Sequence, residues 1–323
     1  MDFGKQDNAE DPNWERKVIT DLANAALKEQ RATRRWGIFF KILLFIYIFF
    51  ALAIWAAFNE DDLNLSSEKH TAVIDIDGVI ASDSPASADK VVKGLRKAFK
   101  HQGTKGIIIR INSPGGSPVQ SAYIHDEILR LRKKHKDIPV YAVVSDVCAS
   151  GGYYVAVAAD KIYANKSSVV GSIGVLMNGF GFVDAIEKIG VERRLLTAGK
   201  HKGVLDPFSP VQEEQKQHVQ SILDSLHQEF ISVVKKGRGD KLKDDERLFS
   251  GLFWSGIQSK ELGLIDDFGS AGFVAREVIG VEEIVDFTPK EDVFKRFADR
   301  VGAGAVREML QSAFTSYGGF QLR

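Results

Sequence analysis

The 323-residue sequence contains little cysteine and no excess of either charge. Cys148 is its only cysteine, which excludes an internal disulfide and a cysteine-based zinc cluster. The 43 basic residues balance 43 acidic ones, whereas a nucleic-acid-binding protein carries a basic excess, so nucleic acid is not expected as a partner. The 8 prolines and 29 glycines are ordinary numbers, which excludes a fibrous or disordered chain. The length allows one large domain or two ordinary ones.

One long apolar run stands out against this ordinary composition. Residues 36–58 are apolar except for Lys41, which lies near one end, where its side chain can reach the membrane interface. At about 1.5 Å per residue, a helix of this length crosses a hydrocarbon layer of roughly 30 Å. The run therefore predicts one transmembrane helix at 36–58. A buried core helix is the alternative, but such helices are usually shorter.

The residues on either side of this run predict its orientation. Basic residues precede it and acidic residues follow it: Lys28, Arg31, Arg34 and Arg35 before, Glu60, Asp61 and Asp62 after. Positive charge stays on the cytoplasmic side, so residues 1–35 are predicted to form a cytoplasmic tail and the rest to lie outside the cytoplasm. A cleaved signal peptide is less favoured, because it has a shorter basic start and a shorter apolar core.

Beyond a polar linker at 59–69, the pattern predicts an α/β domain over residues 70–287. Apolar runs typical of strands alternate with helical spacing, which favours a largely parallel core sheet. The predicted strands are Thr71–Asp77, Gly106–Asn112 and Ile138–Ser145, and the predicted helices are Ala88–Phe99, Ser117–His135 and Gly151–Ala159. Ser117 is the expected N-cap of its helix, with Pro118 at the first helical position.

A long helix is predicted from Pro210 to Lys236. Ser209 and Gln212 have the spacing of a capping box, and Gly237 lies where a C-terminal glycine cap belongs. Residues 288–323 form an amphipathic tail. We expect it to pack on the domain or on another subunit, with membrane contact as the alternative.

Two glycine-rich turns each follow a predicted strand and precede a predicted helix. In the first, Asn112–Ser117, backbone N–H groups can approach an anion or the oxyanion of an acyl-transfer intermediate. A plain tight turn is the alternative interpretation. In the second, Cys148–Tyr154, Ser150 lies at the helix N-terminus between small neighbours. Ser150 is either a nucleophile or only a helix cap.

A nucleophilic serine needs a base. None of the seven histidines lies between residues 136 and 200, which makes lysine the alternative, and a lysine acts as a base only when burial lowers its pKa. The segment 197–208 offers Lys200, His201 and Lys202, and its residue chemistry does not choose among them or exclude a solvated surface loop. Cys148 is interpreted as a small buried hydrophobe rather than a nucleophile.

Four motifs in order carry a family resemblance. They are NSPGG (112–116), ASGGYY (149–154), GSIGV (171–175) and GKHKGVLDPF (199–208), followed by WSG (254–256) and GLID (263–266). Over residues 70–285 this set resembles the signal peptide peptidase A family of membrane-anchored serine proteases. The resemblance implies a Clp protease/crotonase-like spiral fold behind one N-terminal transmembrane helix. It also implies a Ser-Lys dyad with Ser150 as nucleophile, Lys202 as general base, and Ser172 orienting the lysine.

The same resemblance implies where the oxyanion hole lies. Its donors are expected to be the backbone N–H groups of Gly151 and of a glycine in the first turn, Gly116 or, as the alternative, Gly115. Asn112 is expected to brace this turn rather than to take part in catalysis. No metal or organic cofactor is expected, because the sequence contains no cluster of ligand residues.

Further implications concern partners and location. Expected substrates are signal-peptide remnants and other apolar peptides, cleaved at the bacterial inner membrane by a periplasmic or other extracytoplasmic domain anchored in the bilayer. A homo-oligomer is expected, with an octamer as one form, and dyad residues can come from neighbouring subunits. The alternatives are a broader quality-control protease for membrane or exported proteins, an inactive scaffold, and a crotonase-like CoA enzyme. The last needs cytoplasmic CoA and usually a pair of glutamates.

Overall fold

A computed structural model describes residues 14–59 and 68–289 of the chain, in two compact units that divide between Ser66 and Ser67. The first unit contains one helix, α1, from Trp14 to Asn59. Its stretch Ile19–Leu52 is long and apolar enough to cross a membrane, and the most apolar 18-residue window in it is 0% buried, unlike the mostly buried core helix of a soluble protein. The predicted span therefore lies within a longer helix that already includes part of the predicted tail. A signal sequence near the N-terminus can meet the same criteria of length and composition.

The second unit is a mixed α/β domain. Its strands are β1 His70–Asp77, β2 Thr104–Ser113, β3 Val140–Ala149, β4 Lys161–Ala164, β5 Val169–Gly171, β6 Phe253–Ser255, β7 Asp267–Phe268 and β8 Ile284–Asp286. Its helices are α2 Ala88–Lys100, α3 Pro118–Lys134, α4 Gly151–Ala156, α5 Val183–Lys188, α6 Glu213–Arg238, α7 Gly256–Glu261 and α8 Ala271–Phe273. The alternation of strands and helices predicted over the first half of the domain is confirmed. The predicted linker and C-terminal tail lie mostly outside the described residues.

The strands form one sheet in the order β6-β5-β3-β2-β1-β8, with β4 joined to β3 and β7. All pairs are parallel except β5 with β6, so the prediction of a largely parallel sheet is confirmed. The sheet divides at β3. Residues Tyr141–Val143 pair with β4, whereas Val147–Ala149 pair with β5. This division carries the end of β3 toward β5.

The core lies on both faces of β1, β2 and β3. Ile107, Ile108 and Ile109 are all fully buried, because helices cover one face of the sheet and the segment after α8 covers the other. Each such side chain contributes about 1.5–3 kcal/mol to the free energy of unfolding. At α3, Ser117 is the N-cap as predicted, since its side chain accepts a hydrogen bond from the Gln120 N–H with Pro118 in the first turn.

The predicted ends of the long helix are wrong. α6 begins at Glu213, no side-chain bond caps its start, and the Ser209 hydroxyl donates to Asp206 instead. Gly237 lies inside the helix, where a Cβ atom would come within 2.5 Å of the Val157 carbonyl oxygen. Gly237 therefore permits close helix packing. The residue that ends the helix is Gly239, with φ +54°. Likewise α4 ends at Ala156 rather than Ala159, because a tight turn leads directly into β4.

Candidate active site

The two glycine-rich turns meet at the carboxyl end of the sheet. β2 and β3 are parallel neighbours with Ser113 opposite Cys148, so both turns leave the sheet at the same edge. Gly115 lies directly against the second turn, since a Cβ atom there would come within 2.7 Å of the Ser150 Cβ and 2.8 Å of the Gly151 nitrogen. Gly115 also has φ +104°, in the left-handed region. The contact between the turns therefore requires glycine at position 115.

Ser150 occupies a strained position between β3 and α4. Its φ of +50° and ψ of −121° lie outside the regions that a non-glycine residue ordinarily adopts. Its N–H donates to the Gly171 carbonyl oxygen at 2.8 Å, and its own carbonyl accepts from the Tyr154 N–H at 2.9 Å. Its side chain makes no capping bond and is partly exposed. Ser150 is therefore not a helix cap, and this kind of strain is typical of functional sites.

Two backbone N–H groups next to Ser150, those of Gly116 and Gly151, make no hydrogen bond to any residue that the structure describes. Gly151 is the first residue of α4, so its N–H has no partner within the helix. The Gly116 nitrogen lies close to it, 3.3 Å from where a Cβ on Gly151 would stand, and donates to no backbone acceptor in residues 14–59 or 68–289. The Gly115 N–H, by contrast, donates to the Ser113 hydroxyl at 3.1 Å. Of the two glycines proposed for the first turn, Gly116 is therefore the one with a free donor.

Ser172 lies in a second strained turn beside the first. Its φ is +52°, and its N–H donates to the Leu252 carbonyl at 2.7 Å. Its preceding residue, Gly171, accepts the hydrogen bond from the Ser150 N–H. The structure thus brings Ser172 to the neighbourhood of Ser150 through the backbone. Among the described residues its hydroxyl makes no hydrogen bond.

Lys202 is not joined to this group within the chain. It lies in an exposed turn in which its N–H donates to the Gly199 carbonyl, and its side chain has no hydrogen bond or ion pair with any described residue. Lys200 instead pairs with Glu214 at 2.9 Å and lowers the pKa of that carboxyl, and His201 lies 3.6 Å from the same group. Of the three candidates for the base, Lys202 alone has no partner in the described part of the chain.

The segment between Ser172 and α6, residues 173–212, is unusually apolar for its exposure. Leu196 is 96% exposed, Phe180 82% and Leu176 78%, and α5 within this segment contains no buried residue. Large exposed apolar areas are uncommon on monomeric soluble proteins and often mark interaction sites. From sequence this segment was interpreted through its motifs and its candidate bases, not through its exposed apolar side chains.

Two polar residues brace the site, and one of them was missed from the sequence. Asn112, which was predicted to brace the first turn, donates to the Asp77 carboxylate at 3.0 Å and accepts from the Val147 N–H at 3.3 Å, so it links the ends of three strands where that turn begins. His227, on α6, lies 3.2 Å from the Ile173 carbonyl oxygen. Sequence offered no signal for this contact, because the two residues are far apart in the chain.

Cys148 is fully buried, and burial raises the pKa of its thiol. A thiol in this state is a poor nucleophile. The interpretation of Cys148 as a small buried hydrophobe is confirmed, and Ser150, which is partly exposed, remains the candidate nucleophile. The residues described here contain no group of three or more His, Cys, Asp or Glu side chains that could hold a metal ion.

Comparison with known proteins identifies the family. The profile of Peptidase family S49 matches residues 132–278, which include Ser150, Ser172 and Lys202. A Synechocystis protein named as a protease, slr0021, is 32% identical over 205 residues, covering 64% of this chain and 72% of that protein. The chain belongs to peptidase family S49, in its signal peptide peptidase A type.

Other relatives are matched over a smaller share of their length. An Enterococcus faecium protein named as a signal peptide peptidase SppA is 31% identical over 212 residues, 63% of this chain and 61% of that protein. A Brucella abortus protein named as the Na(+)/H(+) antiporter NhaA is 46% identical over 186 residues, 58% of this chain. The match covers 25% of the Brucella protein, so the chain spans only a quarter of that relative.

Proposed function

We propose that this protein is a membrane-anchored serine endopeptidase with a Clp protease/crotonase-like spiral fold. The observation that carries the proposal is the position of Ser150. Its side chain makes no helix-capping hydrogen bond and is partly exposed on a strained turn. It lies next to the N–H groups of Gly116 and Gly151, which donate to no described residue. Membership of a peptidase family supports the same reaction class.

The proposed mechanism is acyl transfer by a Ser-Lys dyad. The neutral Nζ of Lys202 takes the proton of the Ser150 hydroxyl, and Oγ attacks the scissile carbonyl carbon. The Gly116 and Gly151 N–H groups stabilise the oxyanion that forms, and one such donor contributes about 10²–10³ in rate. The protonated Lys202 then gives its proton to the leaving amine, and water hydrolyses the acyl-enzyme. Because only the neutral amine accepts a proton, activity rises toward alkaline pH.

The dyad is proposed to be completed between subunits of a homo-oligomer. Within one chain Lys202 is exposed and makes no bond to Ser150, and it lies on the apolar segment 173–212. A second copy packed on this segment would bury apolar area and exclude water from Lys202. Exclusion of water favours the neutral form of the amine, which a lysine base requires. A closed ring, such as an octamer, satisfies every subunit in this way.

Signal-peptide remnants and similar apolar peptides are the proposed substrates. Helix α1 has a length and composition compatible with a membrane anchor, and its basic flank supports a cytoplasmic N-terminus. The domain that follows then lies at the outer surface of the bacterial inner membrane, where such remnants are released. Similarity to a protein named as a signal peptide peptidase supports this substrate class.

The test is cleavage of a synthetic signal peptide by the full-length protein in detergent. Ser150→Ala and Lys202→Ala should each abolish cleavage while thermal midpoint and oligomer size stay unchanged. Lys200→Ala is the matched control, because Lys200 lies on the same exposed turn but pairs with Glu214. Cleavage that survives in Lys202→Ala would contradict the assigned base. Absence of cleavage by the wild type over several peptides and pH values would favour an inactive scaffold.

A further inference from the structure

We infer that His227 is a positioning residue for the nucleophile. From α6 it holds the turn Gly171–Ile173, and the Gly171 carbonyl in this turn accepts the hydrogen bond from the Ser150 N–H. This inference rests on the proposed function, in which Ser150 is the nucleophile. The chain of contacts runs from one imidazole nitrogen through the Ile173 carbonyl and the backbone turn to Ser150.

The first contact fixes the tautomer of His227. Its Nε2 lies 3.2 Å from the Ile173 carbonyl oxygen, and the side chain is half-buried. A carbonyl oxygen only accepts hydrogen bonds, so Nε2 carries the proton and donates. The same oxygen also accepts from the Gly251 N–H at 3.1 Å. The turn is therefore held from two sides, by the loop before β6 and by α6.

The second contact links this turn to the nucleophile. Ile173 follows Gly171 and Ser172 in the chain. The φ of Ser172 is +52°, a strained value, and the Gly171 carbonyl accepts a hydrogen bond from the Ser150 N–H at 2.8 Å. Strained backbone persists only where the surrounding contacts determine it. Loss of the His227 hydrogen bond to the Ile173 carbonyl therefore loosens the turn that fixes the Ser150 backbone and the position of Ser172.

α6 supports the nucleophile from its other side as well. One helical turn after His227, Phe230 packs against Tyr154, with ring centroids 5.2 Å apart. Tyr154 lies in α4, and its N–H donates to the Ser150 carbonyl. A single helix thus contacts the elements on both sides of Ser150, and His227 makes its polar contact. The hydrophobic contact at Phe230 is expected to keep α6 in place when His227 is changed.

The experiment compares His227→Leu, which removes the donor, with His227→Gln, whose amide can still donate. His218→Leu is the matched control, because His218 is exposed on the same helix. The first readout is the rate of Ser150 labelling by a fluorophosphonate in the full-length protein, together with kcat and KM for a signal peptide. The second is hydrogen exchange of backbone amides in residues 168–175, which requires no catalytic activity.

We expect His227→Leu to lower the labelling rate and kcat about tenfold with KM unchanged, because misplacement of a reacting group by about 1 Å costs up to roughly 10² in rate. Exchange at 168–175 should become faster. His227→Gln should stay within about twofold of wild type and His218→Leu should match it, with the pH profile unaltered throughout.

Two outcomes would overturn the inference. One is wild-type labelling and exchange in His227→Leu. The other is a His227→Gln variant that is as slow as His227→Leu and has an altered pH profile, which would make His227 a proton carrier. A wild-type protein that fluorophosphonate does not label counts against the proposed function instead. The exchange measurement still decides the role of His227 in that case.

Discussion

At the scale of single residues, the proposed chemistry depends strongly on backbone positions. Ser150 lies on a strained turn, and the proposed oxyanion donors are two glycine N–H groups. These residues were predictable through the ordered set of motifs and the family resemblance it carries, because single glycine-rich turns also occur as plain tight turns or helix starts. His227 was not predictable, since its partner is a carbonyl group contributed by a distant turn.

Substitution of Gly115 tests the close contact of the two turns. Gly115→Ala would place a Cβ atom 2.7 Å from the Ser150 Cβ at φ +104°, where an alanine is strained. We expect a loss of about 1–3 kcal/mol in free energy of unfolding and slower labelling of Ser150. Thermal unfolding and fluorophosphonate labelling measure these effects. Gly272→Ala, with no atom within 4 Å of the new methyl group, should change neither.

At the scale of elements, the long strands and helices were predictable and the short strands were not. β1, β2 and β3 are apolar runs buried on one or both faces, so their patterns were plain. β4 to β8 contain two to four residues each, too few for a period to show, and they are placed by their sheet partners. The predicted C-terminal end of α6 was wrong for a related reason. The role of Gly237 comes from its packing against Val157, which is distant in the sequence.

The corrected role of Gly237 gives a prediction of its own. Alanine is a better helix former than glycine by about 1 kcal/mol, so a helical position without a close packing contact would tolerate the substitution of glycine by alanine. Gly237→Ala should instead destabilise the domain by about 1–3 kcal/mol, since its Cβ would meet the Val157 carbonyl at 2.5 Å. Thermal unfolding of Gly237→Ala is compared with that of Lys236→Ala, a control at the neighbouring exposed position. Equal thermal midpoints for the two variants would contradict the packing role of Gly237.

The contact between α2 and α3 gives a dependence of stability on pH. Glu127, on α3, is buried and accepts hydrogen bonds from Arg130 and Arg96, which lower the pKa of its carboxyl to about 2. Because the folded pKa lies below the unfolded one, this stabilisation is present above about pH 4.5 and is lost as pH falls toward 2. It amounts to up to about 3 kcal/mol.

The thermal midpoint between pH 6 and pH 3 measures this effect. Wild type should lose more stability over that range than Glu127→Gln, which carries no titrating group there. Parallel pH curves for the two proteins would show that the carboxylate contributes nothing to the packing of α2 on α3.

At the scale of the whole molecule, the exposed apolar segment 173–212 is the main feature that a single chain leaves unexplained. The sequence predicted an oligomer only through family resemblance. The type of an apolar residue does not show whether its own chain or another subunit buries it. The structure locates the surface in question: Leu176, Phe180 and Leu196 are exposed and belong to the segment that carries Lys202.

A charge placed on this segment should separate the subunits. Leu196→Glu removes a side chain that is 96% exposed in the single chain, so the fold of the subunit should be unaffected. We expect the oligomer to dissociate and cleavage to fall at least about tenfold, because a buried unpaired charge opposes association. Sedimentation in detergent and peptide cleavage measure both. Leu129→Glu, at an exposed position on α3, is the control, and an intact oligomer in Leu196→Glu would contradict the proposed interface.

The most direct test of the account is complementation between two inactive variants. Ser150→Ala and Lys202→Ala subunits, each inactive alone, are dissociated, mixed in equal amounts and reassembled, and cleavage of a signal peptide is measured. A dyad shared between neighbouring subunits predicts recovery of about a quarter of wild-type activity, since that share of random interfaces joins an intact serine to an intact lysine. A mixture that stays inactive after reassembly would contradict a shared dyad, and activity in Lys202→Ala alone would contradict the dyad itself.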